Sequence, residues 1–122
     1  MNPAAPARLR LTRAMRLRQR GDFARLKQQG RRLARGCLVL NWQELAPGAQ
    51  TRFAVITTRK IGKAVIRNRC RRLIRECFRL HQHALRGPVE MVLIARPSMA
   101  GKHFAAVEAA YLNLLREAAL VD

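Results

Sequence analysis

Within nine positions the chain carries Arg67, Asn68, Arg69, Arg71, Arg72 and Arg75, and Glu76 is the one acid of residues 52–79. Guanidinium groups are planar forks that grip phosphate oxygens in pairs and stack on bases. Asn68, set between two arginines, offers both a donor and an acceptor. That suits a base edge, a 2′-hydroxyl or a hydrated metal ion, and equally an ordinary surface amide. The chemistry available here is anion binding. The residue types that catalysis needs are arranged less favourably. The acids Asp22, Glu44, Glu76, Glu90, Glu108, Glu117 and Asp122 are scattered along the chain, whereas a metal-dependent nuclease clusters carboxylates around its cations. His81 and His83 form an HxH, but on a helix their rings would point about 200° apart, poor for shared ligation. Solvated histidines near a helix C-terminus are the simpler reading. Thr57 and Thr58 have no evident general base, and no P-loop, GxSxG or paired-Cys zinc pattern occurs. By its residues, the chain is a non-catalytic binder.

These cations need a helix to present them. Residues 60–79 read KIGKAVIRNRCRRLIRECFR. At about 3.6 residues per turn, Ile66, Cys70, Leu73, Cys77 and Leu80 line one face, widened by Ile74 and Phe78. Asn68, Arg71, Arg72, Arg75 and Arg79 fall opposite, with Arg67 and Arg69 at the flanks. The spacing predicts a helix over about 64–80. Upstream, Asp22 suits the N-cap of a helix over 23–29 closed by Gly30. Residues 37–42 and 52–58 read as strands, and the loop at 46–49 with its Pro and Gly predicts that they form a hairpin. Residues 89–95 are almost wholly apolar, which predicts a central strand ending at Pro97. After Gly101 a last helix runs to about residue 119, its core stripe being Phe104, Val107, Tyr111, Leu114, Leu115 and Ala118. The order α-β-β-(β)-α-β-α, one strand optional, predicts an α+β fold, a single-domain two-layer sandwich over residues 21–122. Residues 1–20, Arg-rich with Pro3 and Pro6, read as a flexible basic arm that orders against a partner.

Charge narrows the partner. The 122 residues carry a formal net charge of +18, and a soluble chain this basic usually serves a polyanion: nucleic acid, an anionic membrane surface or an acidic protein. Residues 1–35 hold eleven Lys or Arg and one acid; residues 52–79 hold ten and one acid. That gives two contact surfaces, or one assembled from both. A GC-rich genome would account for Arg over Lys but not for the net charge. A basic amphipathic helix can also bind membrane or calmodulin, but the accompanying strands favour a compact domain. Cys37, Cys70 and Cys77 form no CxxC pair and read as buried thiols in a reducing cytosol. No run approaches the roughly 20 apolar residues that cross a bilayer, and the N-terminus lacks a signal-type apolar core. The expected location is cytoplasmic, without membrane association.

RNRCRRLIRECFR closely resembles the RNR signature of the bacterial ribonuclease P protein subunit, and TTRKIGKAVI resembles the strand-turn-helix segment that precedes it. GDFARLKQQG is similar to the first helix of that family, and VEMVLIARP to its apolar strand ending in Ala-Arg. The resemblance spans roughly residues 10–118. It implies a small partner of a catalytic RNA that removes the 5′ leader from precursor tRNA, with the RNA performing the hydrolysis. It implies binding of that RNA through Arg59, Lys60, Lys63, Arg67, Asn68, Arg69, Arg71, Arg72 and Arg75. It also implies Mg2+ held mainly by the RNA (Asn68 touching it at most indirectly), no catalytic residue, and no obligate protein partner. A left-handed βαβ crossover would carry the basic helix, against the usual hand. A cleft between the first helix and the sheet would take the leader, with Phe23, Lys27, Arg35 and Asn41 as candidates. Here the chain departs from the family pattern. Lys27 stands where a second aromatic is common, Leu38 and Asn41 replace strand aromatics, and Trp42 should point to the other face. Leader contacts are therefore expected to lean on charge more than stacking. The alternatives are a ribosomal or RNA-assembly protein and, more remotely, a protein-only nuclease.

Overall fold

The computed structural model describes residues 11–17 and 19–122. Its elements are α1 (Arg20–Gln29), β1 (Arg31–Arg35), β2 (Leu38–Glu44), β3 (Arg52–Ile56), α2 (Ala64–His81), β4 (Val89–Ala95) and α3 (Phe104–Glu117). This is the expected α+β order, with the optional strand present as β1. The sheet order is β1-β2-β4-β3. β1 and β2 pair antiparallel, as do β2 and β4, while β3 and β4 run parallel. The parallel pair is joined through α2.

The expected hairpin between the strands at 37–42 and 52–58 does not form. β4 lies between β2 and β3, and β2 makes its hairpin with β1 instead, through Gly36 and Cys37. Gly36 has φ +56°, which suits a two-residue turn and which L-residues rarely adopt. The reason is burial: six of the seven β4 residues are buried, so the most apolar strand takes the place where both edges are paired and both faces covered.

Alternation along the strands divides the core. Leu38, Leu40, Trp42, Phe53, Met91 and Leu93 face α2 and α3 in the main cluster. Leu26 of α1 packs with Val92 and Leu17, beside Phe23, Ala54 and Ile56, in a smaller cluster on the other face. Trp42 thus points away from α1, as the alternation required. α2 presents Cys70, Ile74, Cys77 and Phe78 as its buried stripe, and Phe78 stacks on Phe53 with ring centroids 4.3 Å apart. Leu80, expected in that stripe, is 36% exposed. At about 100° per residue it lies roughly 100° from the stripe's centre. Val107, Tyr111, Leu114, Leu115 and Ala118 are buried on the α3 side as expected.

Two boundaries move. α1 begins at Arg20, and Gln19, not Asp22, occupies the N-cap, without a side-chain bond. Asp22 sits in the first turn, where it still favours the helix dipole, and its carboxylate faces Arg25 and Arg52. The fold also starts before residue 21. Leu17 is buried, its N–H donates to the Phe53 carbonyl at 3.0 Å, and Arg16 bridges to Phe53 in parallel. The part of the expected arm at 11–17 therefore packs along β3; residues 1–10 and Arg18 lie outside the described residues.

Gly30 joins α1 to β1 in a tight place. A Cβ there would lie 2.6 Å from the Leu26 carbonyl oxygen and 2.7 Å from that of Trp42. Both are backbone atoms that cannot swing aside. Gly30→Ala is expected to destabilise the fold by about 1–3 kcal/mol, as overpacking does, measured as a lower urea midpoint followed by Trp42 fluorescence.

Candidate nucleic-acid interface

The basic face is built at the start of α2. A 3-10 turn, Arg59–Ile61, leads to Gly62 at φ 144°, where a side chain would press on Ile66. The Lys63 carbonyl then accepts the N–H groups of Ile66 and Arg67, each at 3.0 Å. This sets the helix N-terminus, a region of positive potential that favours anions, beneath the exposed side chains of Arg59, Lys60 and Lys63.

Along the helix the arginines are held in different ways. Arg71 donates to Thr57 Oγ1 at 2.6 Å and to Asn68 Oδ1. It is thereby fixed against the end of β3, and the Asn68 amide nitrogen is left for a partner. Arg69 donates to the Lys102 carbonyl at 2.8 Å, tying α2 to the loop before α3. Arg72 is exposed and Arg67 half-buried. Arg75 holds its proton less tightly than a free guanidinium, through partial burial first and then the nearby charges of Arg16 and Arg71. Arg79, on the same face, is bound to Glu76.

The acids complete the pattern. Asp22 and Glu90 pair with Arg25 and Arg52, Glu117 with Arg35, Asp122 with Arg86, and Glu108 faces His81. Among the described residues, no carboxylate pairs with Arg59, Lys60, Lys63, Arg67, Arg69, Arg71, Arg72 or Arg75. The sequence-nominated cations of α2 and its approach are thus left unpaired by acids, Glu76 being committed to Arg79. Like charges this dense repel unless an anion sits among them.

The four cleft candidates separate. Phe23 lines a cleft of about 290 Å3 with Leu17, Phe53, Ala54, Arg16 and Arg75, so this cleft opens beside the arginine face. Lys27 is exposed on α1. Asn41 is buried, its amide nitrogen donating to the carbonyls of Leu26 at 3.0 Å and Arg31 at 2.9 Å; it fastens the end of α1 to the sheet. Arg35 pairs in register with Leu38, on the α3 side, and donates to Glu117 of α3 at 3.1 Å. It is not brought to the cleft.

Arg16 was missed by sequence reading because it lay in a segment without periodicity. Also missed was the union of Asp22 and Glu90, far apart in sequence, around Arg25 and Arg52. Its signal was present: Glu90 is the lone charge in an otherwise apolar strand and had to find a partner. Both guanidiniums hold their protons more tightly, chiefly through hydrogen bonds to Glu90. These carboxylates are committed to arginine. Among the described residues no group of three His, Cys, Asp or Glu is placed to hold a metal ion, and no helix is long and apolar enough to cross a membrane. The three thiols are buried, and burial pushes Cys77 up to about 12, leaving it un-ionised at neutral pH.

An α+β domain with an arginine-rich helix, carrying Glu76 as its one acid, beside an aromatic-lined cleft defines a polyanion-binding protein. Residues 11–119 match the Ribonuclease P family model. The chain is 38% identical over 112 residues to the ribonuclease P protein component of Desulfovibrio desulfuricans, covering 89% of this chain and 86% of that one. It is 40% identical over 85 residues to that of Desulfatibacillum aliphaticivorans, covering 70% and 71%. In structure it is similar to the RNase P protein from Thermotoga maritima (TM-score 0.74, 30% identity, 84% of this chain and 96% of that one). It shares its fold with the Staphylococcus aureus RNase P protein (TM-score 0.81, 24% identity, 90% and 100%). The chain belongs to the ribonuclease P protein family.

Proposed function

We propose that the chain is the protein subunit of ribonuclease P, a cytoplasmic ribonucleoprotein in which it assists a catalytic RNA in removing the 5′ leader from precursor tRNA. The observation that carries this reading is the row of cations on α2 and its approach with no carboxylate among the described residues paired to them, set beside the Phe23 cleft. The arginines neutralise phosphates where two RNA strands converge, and Asn68 donates from its amide to a phosphate or ribose oxygen. The cleft holds the leader, Phe23 stacking on a base and Arg16 and Arg75 meeting the backbone. Base stacking of this kind contributes ~1–3 kcal/mol per base. Mg2+ takes its ligands mainly from the RNA, and the protein favours its occupancy by lowering repulsion between phosphates. The hydrolysis belongs to the RNA, in keeping with carboxylates bound to arginine and un-ionised thiols.

Reconstitution with the cognate catalytic RNA tests this. At low magnesium, adding the protein is expected to restore cleavage of precursor tRNA, and raising magnesium should reduce the dependence on protein. Cleavage by rigorously RNA-free protein, or co-purification with ribosomal subunits in place of a single structured RNA, would overturn it.

A further inference from the structure

α1 forms one wall of the Phe23 cleft, yet apolar packing holds it weakly. Leu26 is its single fully buried side chain. At its C-terminal end Asn41 fastens the Leu26 carbonyl. At its N-terminal end the fastening is ionic. Arg25 donates to Glu90 Oε1 at 2.6 Å, to Gln43 Oε1 at 2.8 Å and to Asp22 Oδ1 at 3.3 Å. Arg52 donates to the other oxygen of Glu90 and, at 3.3 and 3.4 Å, to both oxygens of Asp22. α1 and β3 thus meet on one carboxylate of β4, whose side chain is 3% exposed, and β2 joins through the bond of Gln43 to Arg25. Both arginines are a third exposed, so the network sits at the rim of the sheet, its α1 members Asp22 and Arg25 within two residues of Phe23.

We propose that Glu90 is a positioning residue for the leader. It touches no RNA. It fixes the angle of α1 on the sheet, and so the distance from Phe23 across the cleft to Arg75. Without the ionic junction α1 would rest on Leu26, the partly buried Phe23 and the Asn41 amide alone, too few contacts to fix its angle. The charge of Glu90 matters as well as its shape: a neutral side chain there would leave Arg25 and Arg52 facing each other with Asp22 alone between them. This inference rests on the proposed function, in which the cleft takes the leader.

The test compares the reconstituted complex carrying Glu90→Gln with one carrying Val107→Ala. The second replaces a buried residue of α3 on the far face and serves as a stability control. Hydrogen exchange of the free protein is expected to show faster exchange in α1 but unchanged α3 for Glu90→Gln. The affinity ratio between leader-bearing and leaderless tRNA should fall roughly tenfold, the loss of most of one stacked base, while leaderless affinity stays at the wild-type value. Val107→Ala should keep the wild-type ratio despite a lower thermal midpoint. If Glu90→Gln fails to fold, Arg25→Lys keeps the charge but cannot reach Glu90, Gln43 and Asp22 together, and should lower the same ratio. Wild-type α1 exchange with a wild-type ratio in Glu90→Gln, or an equal loss of ratio in Val107→Ala, overturns the inference alone. A wild-type complex with no leader preference overturns the functional reading and the inference with it.

Discussion

Replacing Arg67, Asn68 and Arg69 together by alanine is expected to weaken binding to the catalytic RNA on the order of 100-fold and to flatten its salt dependence. A charge-assisted hydrogen bond contributes about 1.5–3 kcal/mol, and each 1.4 kcal/mol is about tenfold in affinity. Two lost arginine contacts therefore suffice. The salt dependence is the sharper readout. Each neutralised phosphate contributes about 0.7–0.9 to the slope of log affinity against log salt, so the variant should lose about 1.4–1.8 of that slope. Arg69 also holds the Lys102 carbonyl, so part of the loss will come from a loosened loop. Arg72→Ala separates the two effects. Arg72 is exposed, and among the described residues no carboxylate is bound to it. Its removal should lower the slope by about one phosphate's share without moving the thermal midpoint. Titrations over a range of potassium chloride concentrations measure both. An unchanged slope in the triple variant would remove these residues from the interface.

Phe78→Ala is expected to give the largest loss of stability among single substitutions of α2. Phe78 is fully buried and stacks on Phe53 of β3, so the ring fastens the arginine helix to the sheet. Removing a buried aromatic ring costs about 3–5 kcal/mol through lost transfer energy and the cavity left behind, with a further part from the ring pair. Typical domains have only about 5–15 kcal/mol in all. A chain of charge +18 has self-repulsion to overcome as well. The variant should therefore unfold at a much lower urea concentration, and RNA should recover part of the loss by binding only the folded form. Trp42, the single tryptophan and buried on the same side of the sheet, reports the transition. A shift no larger than that of an exposed-site substitution would show that α2 is fastened elsewhere.

Much of this protein could be read from sequence because it rests on local periodicity. The α2 stripe, the apolar β4 and the α3 stripe are set by side chains repeating along one element, and a helix turns its arginines outward wherever it docks. The absence of a catalytic motif and the excess of positive charge also need no tertiary structure. Other features depended on which elements meet. The position of β4 between β2 and β3 is decided by burial on both faces, which a strand's own sequence permits but does not enforce; the loop at 46–49 looked like a hairpin until a more apolar strand competed for the same edge. Arg35 turned to α3 and Asn41 into the seam of α1 because strand register, fixed by the Gly36 turn, chose their faces. The junction around Glu90 joins residues 22, 25, 43, 52 and 90. A buried charge announces in sequence that it must have a partner. Which arginines come to it, and that they fix the wall of the cleft in doing so, is decided only when the sheet closes, because ion pairing acts through space and not along the chain.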